Sequence, residues 1–343
     1  MRIVTGIEFR IVQILMFANV WVSGLRLYRN PVKAYKATKD LLSKFIDLAD
    51  GQSLSKGFYI NGNYSWDMFN PHWPSKAFSR FYSTQLREHG FFNEKRTNIR
   101  MLFLAITKKC PLQCEHCSEW DTLNDKDQLT LDQFYQRIDP FIEDGVAQLI
   151  YSGGEPLVRF KDLVQMIEKY SDRCNQWVYS SGYHLTLDKA RKLFDAGLNG
   201  VAISLDHHMK EFHNMFRGNQ KSFEWVKKAV QNCQEVGLMV AFNSCLTKDY
   251  INNNFTDHLI ELANEWNVPV VNIIEPRAVG HYANKDVELS IREQQILESS
   301  VRKYNTKEHY TYPLISYPAM FRKNLPCGGG RSYLFMDYDG TLR

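Results

Sequence analysis

At residues 101–117 the chain reads MLFLAITKKCPLQCEHC. The first seven residues form an apolar run of the length of a buried strand, and the rest place the thiols of Cys110, Cys114 and Cys117 in one loop. Iron–sulfur clusters are normally held by four thiolates, so three can bind three irons of a [4Fe–4S] cubane and leave the fourth iron open to a small molecule. Zinc is the alternative, with His116 as a fourth ligand, although structural zinc sites usually pair their ligands in two separate motifs.

The run at 101–107 is the first of a series. Short apolar segments alternate with amphipathic ones that begin at Ser, Thr or Asp and end near Gly, which is typical of βα units around a parallel sheet. The predicted strands are 101–107, 148–151, 176–180, 200–205, 239–244 and 269–275. The sequence therefore predicts an α/β fold, a partial (β/α)6 barrel of the TIM type, with its chemistry on the loops that leave the C-terminal strand ends.

The chain is expected to divide into three segments. Residues 1–98 are predicted to form a helical and hairpin extension, with the hairpin turning at Asn61-Gly62. Residues 99–285 hold the βα units, and residues 286–343 form a C-terminal segment.

The N-terminus carries an apolar helix. Its apolar residues recur at helical spacing, namely Ile7, Ile11, Ile14, Leu15, Ala18, Val22 and Leu25. The uncharged stretch 11–25 is shorter than the ~20 residues that cross a bilayer. We expect the helix to pack on its own protein. The alternative is that residues 1–29, which have basic flanks, bind a membrane surface.

Composition narrows the class of protein. The chain has 343 residues, a net charge of +4 and 44% hydrophobic residues, which favours a folded globular protein over a disordered one. Basic and acidic residues are balanced along most of the chain, so no nucleic-acid partner is expected. The seven cysteines, an odd number with a thiol cluster among them, favour a reducing compartment. The predicted location is the cytoplasm, with the inner face of the membrane as a peripheral alternative.

Motifs after the strands follow the order found in radical S-adenosylmethionine (radical SAM) enzymes. The loop Cys-x3-Cys-x2-Cys follows the first strand, and Ser152-Gly153-Gly154-Glu155-Pro156 follows the second. Over about residues 100–340 the chain resembles this family. The resemblance implies a [4Fe–4S] cluster on the three cysteines, SAM on the open iron, and the glycine-rich run beside the SAM amino group. Paired glycines are expected there because they let a ligand approach the backbone.

Later strand ends extend the resemblance. It assigns Ser180 and Ser204 to the neighbourhood of the SAM ribose, Arg217 to the SAM carboxylate, and Pro276 to a turn against the adenine. Asp206 is the expected substrate contact, because it lies at a strand end that faces the barrel mouth.

The C-terminal segment is similar to the opening of the SPASM or twitch extension of these enzymes. A first cysteine, Cys327, precedes a glycine run, and no further cysteine follows. One thiol cannot hold an auxiliary cluster, so none is expected in this chain. The two alternatives are that the chain is part of a longer protein and that the extension has been reduced.

The resemblance implies reductive cleavage of SAM to a 5′-deoxyadenosyl radical that abstracts hydrogen from a substrate. It implies a low-potential electron donor such as flavodoxin or ferredoxin, and it favours a peptide, protein or small metabolite as substrate, with ribosomal peptide tailoring preferred. Two alternatives stay open. One is a membrane-associated enzyme of lipid or cell-envelope metabolism, and the other is a non-catalytic zinc or iron–sulfur module.

Overall fold

The computed structural model describes residues 1–48, 56–89, 98–323 and 327–343. Three short strands form a small antiparallel sheet in the N-terminal extension: β1 (Arg2–Thr5), β2 (Lys56–Ile60) and β3 (Asn63–Ser65). Eight strands form the main sheet: β4 (Met101–Thr107), β5 (Gln148–Gly153), β6 (Asn175–Ser180), β7 (Gly200–Ser204), β8 (Met239–Cys245), β9 (Val270–Ile274), β10 (Leu314–Ser316) and β11 (Tyr333–Met336).

All neighbouring strands of the main sheet run parallel, in the order β10-β9-β8-β7-β6-β5-β4-β11. The helices are α1 (Gly6–Tyr28), α2 (Pro31–Leu48), α3 (Lys76–His89), α4 (Leu131–Asp144), α5 (Phe160–Tyr170), α6 (Leu187–Asp195), α7 (Lys210–Arg217), α8 (Ser222–Val236), α9 (Lys248–Asn252), α10 (Thr256–Glu265) and α11 (Ile291–Tyr304). The α/β class and the partial barrel are confirmed.

Local signals explain where the helices begin and end. Thr130 caps α4 through a reciprocal pair of hydrogen bonds with Gln133, and Gly145 ends that helix at a φ of 124°. Gly237 ends α8 in the left-handed region. The strand after each such glycine has a buried apolar run, 149–151 in β5 and 239–242 in β8, because both faces of the sheet are covered there.

Two strands of the main sheet escaped the sequence pattern. β10 has only three residues, too few to show a period, and β11 pairs in parallel with β4, which lies far away in the sequence. Together they extend the six predicted strands at both edges, so the C-terminal segment contributes to the same sheet as the cysteine loop.

The two faces of the sheet have different partners. One packs against the surrounding helices. The other face is covered, at the N-terminal ends of the strands, by the extension. Buried side chains of the extension such as Phe58, Met68 and Phe78 form one apolar cluster with Met101 and Met239, at the starts of β4 and β8. The extension therefore closes the end of the barrel opposite to the cysteine loop.

The predicted hairpin is present, and the first helix packs on its own protein as expected, but not through the face that the aliphatic spacing marked. Asn61 and Gly62 both have positive φ between β2 and β3, as a two-residue hairpin turn requires. Helix α1 instead buries its other face, including Phe9, Val12 and Val20, and exposes the face that carries the regular aliphatic spacing. Periodicity alone gives an apolar face but does not say what covers it.

Candidate active site

The cysteine loop leaves β4 at the C-terminal edge of the sheet, as predicted. Cys114 is buried, Cys110 and Cys117 are partly exposed, and all three thiols are free. Asn124 connects the two ends of the loop. Its side-chain oxygen accepts a hydrogen bond from the backbone amide of Cys110 at 2.9 Å, and its backbone amide donates to the Lys108 carbonyl. Asn124 adopts a φ of 68°, a conformation that Asn tolerates better than most residues.

Burial makes these thiols poor anions by themselves. It raises the pKa of Cys110 to about 12 and raises that of Cys114 and of Cys117, although the Arg217 guanidinium works against the rise at Cys114. A thiolate that binds iron regains the lost solvation energy as a metal bond. The donor set, three free thiols in a half-buried loop beside a fixed cation, thus suits an iron–sulfur cluster.

His116 does not turn toward the three thiols to complete a zinc site. Its ring stacks on Phe216 at 4.8 Å, and burial lowers its pKa to about 4, so the ring is neutral. Across the described ranges of the chain, no group of three or more His, Cys, Asp or Glu side chains is arranged to hold a single metal ion.

Glycines in three neighbouring loops receive the backbone of the cysteine loop. A Cβ on Gly154 would lie 2.4 Å from the Lys109 carbonyl oxygen, one on Gly218 would lie 2.7 Å from the Gln113 carbonyl oxygen, and one on Gly280 would lie 2.3 Å from the Cys117 carbonyl oxygen. Real Cβ atoms do not approach so closely. These glycines are therefore required by the packing of protein backbone, whereas the sequence had suggested a ligand as the reason for glycine at the second strand end.

Gly153 and the residues beside it follow the same logic. Gly153 has a φ of 129°, and its Cβ would lie 2.2 Å from the Thr107 carbonyl oxygen. Ser152 is partly exposed at the end of β5, and Pro156 is buried. The predicted glycine-rich run thus lies directly against the base of the cysteine loop.

Glu155 joins two strand ends. Its buried carboxylate accepts hydrogen bonds from the Ser180 hydroxyl at 2.9 Å, from the Ser181 amide and hydroxyl, and from the Leu157 amide. Burial raises its pKa, and these hydrogen bonds oppose the rise. The hydroxyl of Ser180, predicted to lie near the ribose, is thus engaged with Glu155 in this structure.

Arg217 and Asp206 form a buried ion pair beside Cys114. Nε and Nη2 of Arg217 lie 2.6 Å from Oδ2 of Asp206, Nη1 lies 3.6 Å from Sγ of Cys114, and the other Asp206 oxygen accepts from the Cys245 amide. Burial alone would raise the pKa of Asp206, but the Arg217 guanidinium, together with the nearby imidazoles and the Cys245 amide, lowers the pKa below its usual value. Asp206 is 4% exposed, so its contacts are with the protein. Its predicted contact with substrate stays a prediction.

The remaining predicted residues lie at the same edge of the sheet. Ser204 ends β7 and is half-buried. Pro276 is buried two residues after β9, and the turn it opens leads to His281, whose amide donates to the Cys117 carbonyl at 3.0 Å and whose ring stacks on Trp120. Every predicted site residue thus lies at the C-terminal edge of the main sheet, from which the cysteine loop leaves β4.

Lys108 was missed by the sequence analysis. Its side chain is fully buried, its ammonium forms ion pairs with Glu119 and, at 2.7 Å, with Asp337, and it lies over the Tyr338 ring. Asp337 follows β11 directly, so this ion pair links the end of β11 to the start of the cysteine loop. No local motif could reveal this pair, because its partners come from opposite ends of the barrel sequence.

A row of neutral polar side chains was missed as well. Ser204, Asn243, Asn272 and Ser316 are in register on four adjacent strands, and the Asn272 amide donates to the Asn243 carbonyl oxygen at 2.7 Å. Asn272 is 1% exposed, and its own side-chain oxygen finds no hydrogen-bond partner among the described residues. Each member of the row comes two residues after an apolar side chain that packs on the extension, so the row lies on the same face of the sheet, toward the barrel interior. These apolar residues are Ala202, Ala241, Val270 and Leu314.

A sequence model of the Radical SAM superfamily matches residues 104–262. The Fe-coproporphyrin III synthase of Methanosarcina barkeri is 28% identical over 166 residues, which cover 48% of this chain and 41% of that protein. The GTP 3′,8-cyclase of Campylobacter fetus is 27% identical over 212 residues, 60% of this chain and 64% of that protein. The chain therefore spans between two fifths and two thirds of the length of these relatives.

Solved structures share the fold at low sequence identity. Streptococcus suis SuiB, in a crystal structure bound to the precursor peptide SuiA, has a TM-score of 0.62 at 14% identity over 94% of this chain and 75% of that chain. Native anSMEcpe with bound AdoMet has a TM-score of 0.53 at 16% identity over 71% of this chain and 72% of that chain. These likenesses concern the arrangement of the backbone.

Proposed function

We propose that this chain, which matches the Radical SAM superfamily over residues 104–262, is an enzyme that uses a [4Fe–4S] cluster and SAM to abstract hydrogen from a peptide substrate. Three free thiols at the mouth of a partial barrel carry the proposal. When bound, the cluster and SAM supply a 5′-deoxyadenosyl radical. The residues of the chain bind SAM and the substrate, orient them, and exclude water from the reaction.

Each residue has a proposed part. Cys110, Cys114 and Cys117 hold the cluster, and the glycine-rich run with its Glu155 fixes the neighbouring strand ends beside SAM. Arg217 supplies positive charge next to Cys114, where a carboxylate on the open iron would lie. Ser152, Ser180, Ser204 and Pro276 belong to the rim that surrounds SAM, and Asp206 keeps Arg217 in place.

The row of Ser204, Asn243, Asn272 and Ser316 supports the substrate class. Its hydrogen-bonding groups are uncharged, three of its members are partly exposed, and the side-chain oxygen of Asn272 between them lacks a partner. An amide donates and accepts at once, so peptide groups fit such a row, whereas a substrate with several negative charges would need cations there. We propose a cytoplasmic enzyme that receives electrons from a flavodoxin or ferredoxin. A lipid or cell-envelope substrate is the second candidate, and the exposed face of α1 is the observation that favours it.

The direct test is anaerobic turnover. Reconstituted protein, reduced with dithionite and given SAM, should form 5′-deoxyadenosine slowly by itself, and faster with short peptides encoded beside its gene. The Asn272→Leu variant should keep the slow reaction and lose the acceleration, because it removes the amide without changing the side-chain volume much. Stoichiometric zinc without iron, or an absence of 5′-deoxyadenosine, would contradict the proposed enzymatic activity. Equal acceleration by peptides in the Asn272→Leu variant would contradict the proposal that the polar row binds the substrate.

The role of Arg217 can be separated from its part in folding. Arg217→Gln alone should weaken SAM binding by about 1.5–3 kcal/mol, the size of a hydrogen bond to a charged group. It should also lower the free energy of unfolding by about 3–5 kcal/mol, because Asp206 is left buried and unpaired. Adding Asp206→Asn removes that buried charge. The double variant should recover stability in thermal unfolding but not SAM affinity in equilibrium dialysis; recovery of both would show that Arg217 acts only through the fold.

A further inference from the structure

Helix α1 has an aliphatic face that the described residues of the protein leave uncovered. Five large side chains of α1 on this face are 40–79% exposed: Ile7, Ile11, Ile14, Leu15 and Val22. On α2, Val32 and Tyr35 are 61% and 49% exposed. These seven residues define the N-terminal face. Single exposed aliphatics are ordinary on a protein surface, but a stripe at helical spacing is typical of a surface that binds something apolar.

Basic residues predominate around the N-terminal face, which the acidic residues Glu8 and Asp40 also border. Between Glu8 and Asp40 the sequence contains no acidic residue and six basic ones: Arg10, Arg26, Arg29, Lys33, Lys36 and Lys39. Glu8 itself forms an ion pair with Arg2. Arg26 lies one turn after Val22, and Lys36 and Lys39 lie one turn after Val32 and Tyr35, so cations border the aliphatic stripe on the same side.

The opposite side of α1 is fixed to the protein. Gly24 lets α2 approach so closely that an added Cβ would lie 3.3 Å from Cβ of Ala34, and the Asn19 side chain accepts a hydrogen bond from the Ser79 hydroxyl at 3.1 Å. By length and composition α1 could cross a bilayer, with a mean hydropathy of 1.4 over its most apolar window. A crossing would break the packing of α1 on α2 and α3, including the hydrogen bond between Asn19 and Ser79, whereas lying flat in the interface needs only the face that is already free.

We propose that the N-terminal face docks on the surface of an anionic lipid bilayer, with α1 in the plane of the interface. The aliphatic stripe would enter the boundary of the acyl chains, and the bordering cations would meet lipid phosphates. A second copy of the chain fits less well, because a symmetric contact would bring two sets of cations together. The extension covers the end of the barrel opposite to the cysteine loop, so docking leaves the barrel mouth open to the aqueous phase.

Vesicle sedimentation with the full chain tests the proposal without reference to activity. The protein should bind extruded vesicles made of equal parts phosphatidylglycerol and phosphatidylcholine, and should bind pure phosphatidylcholine vesicles much less. Ile11→Asp with Ile14→Asp should reduce partitioning at least about tenfold. Arg26→Gln, Lys36→Gln and Lys39→Gln together should reduce it on the order of 100-fold. Ile291→Asp, a change at an equally exposed aliphatic residue on α11, is the matched control and should leave partitioning unchanged.

Four outcomes would overturn the proposal. They are an absence of binding to anionic vesicles, equal binding to both kinds of vesicle, a loss of binding in the Ile291→Asp control as large as in the α1 variants, and association that survives carbonate extraction, which would indicate a spanning helix. Analytical ultracentrifugation supplies a further check: a stable dimer that dissociates in the Ile11→Asp, Ile14→Asp variant, without vesicle binding, would make a second copy the occupant. Far-UV circular dichroism of each variant confirms that it is folded.

Discussion

Replacement of Cys114 by Ala is expected to remove the cluster and with it all formation of 5′-deoxyadenosine. Cys114 is the most buried of the three thiols and lies against Arg217, a cation without a lone pair that could replace a thiolate ligand. Two thiolates leave two irons of the cubane without protein ligands. Iron and sulfide assays after anaerobic reconstitution, together with 5′-deoxyadenosine detection by chromatography, measure both losses.

A second cysteine provides the control for this result. Cys233 is fully buried on α8, far in the fold from the cysteine loop, and Cys233→Ala removes one thiol from the chain without touching the site. It should retain the iron content of the unchanged protein and its rate of SAM cleavage. If Cys114→Ala kept a stoichiometric cluster, or if both variants lost it equally, the assignment of the ligands to the cysteine loop would be wrong.

Gly154→Ala is expected to cost the cluster as well as SAM binding. The new methyl group would lie 2.4 Å from the Lys109 carbonyl oxygen and 2.8 Å from that of Lys108, and both atoms belong to the backbone, which must move. Such overpacking typically costs about 1–3 kcal/mol of stability, and here the displaced segment carries Cys110. Iron content and SAM binding should therefore fall together, which differs from the simple obstruction of SAM that a glycine pair suggests.

Gly329→Ala is the matched control for that experiment. Gly329 does not have a positive φ, and an added Cβ would meet its nearest neighbours at 3.6 Å, an ordinary contact. This variant should keep both iron and SAM affinity. A Gly154→Ala protein with a full cluster and weakened SAM binding would instead support a ligand, and not the cysteine loop, as the reason for glycine at that position.

The sequence by itself determined the βα rhythm and the cysteine site. Strand β4 was predicted with the bounds that the structure has, because a buried parallel strand is apolar throughout and is followed directly by a polar loop. The start of α4 at Thr130 and its end at Gly145 could be predicted from the sequence, because helix capping involves residues only a few positions apart. The spacing of Cys110, Cys114 and Cys117 is likewise local, so the proposed ligand set could be inferred from the sequence before any fold was known.

Only the tertiary structure decided which surfaces meet. The Lys108–Asp337 ion pair and the hydrogen bond between Asn243 and Asn272 depend on strand order and register, which a one-dimensional pattern does not contain. The same limit applies to α1. A period of 3.6 residues shows that an apolar face exists, but it does not show which elements pack on that face. In this fold α2 and α3 pack on the other side of α1.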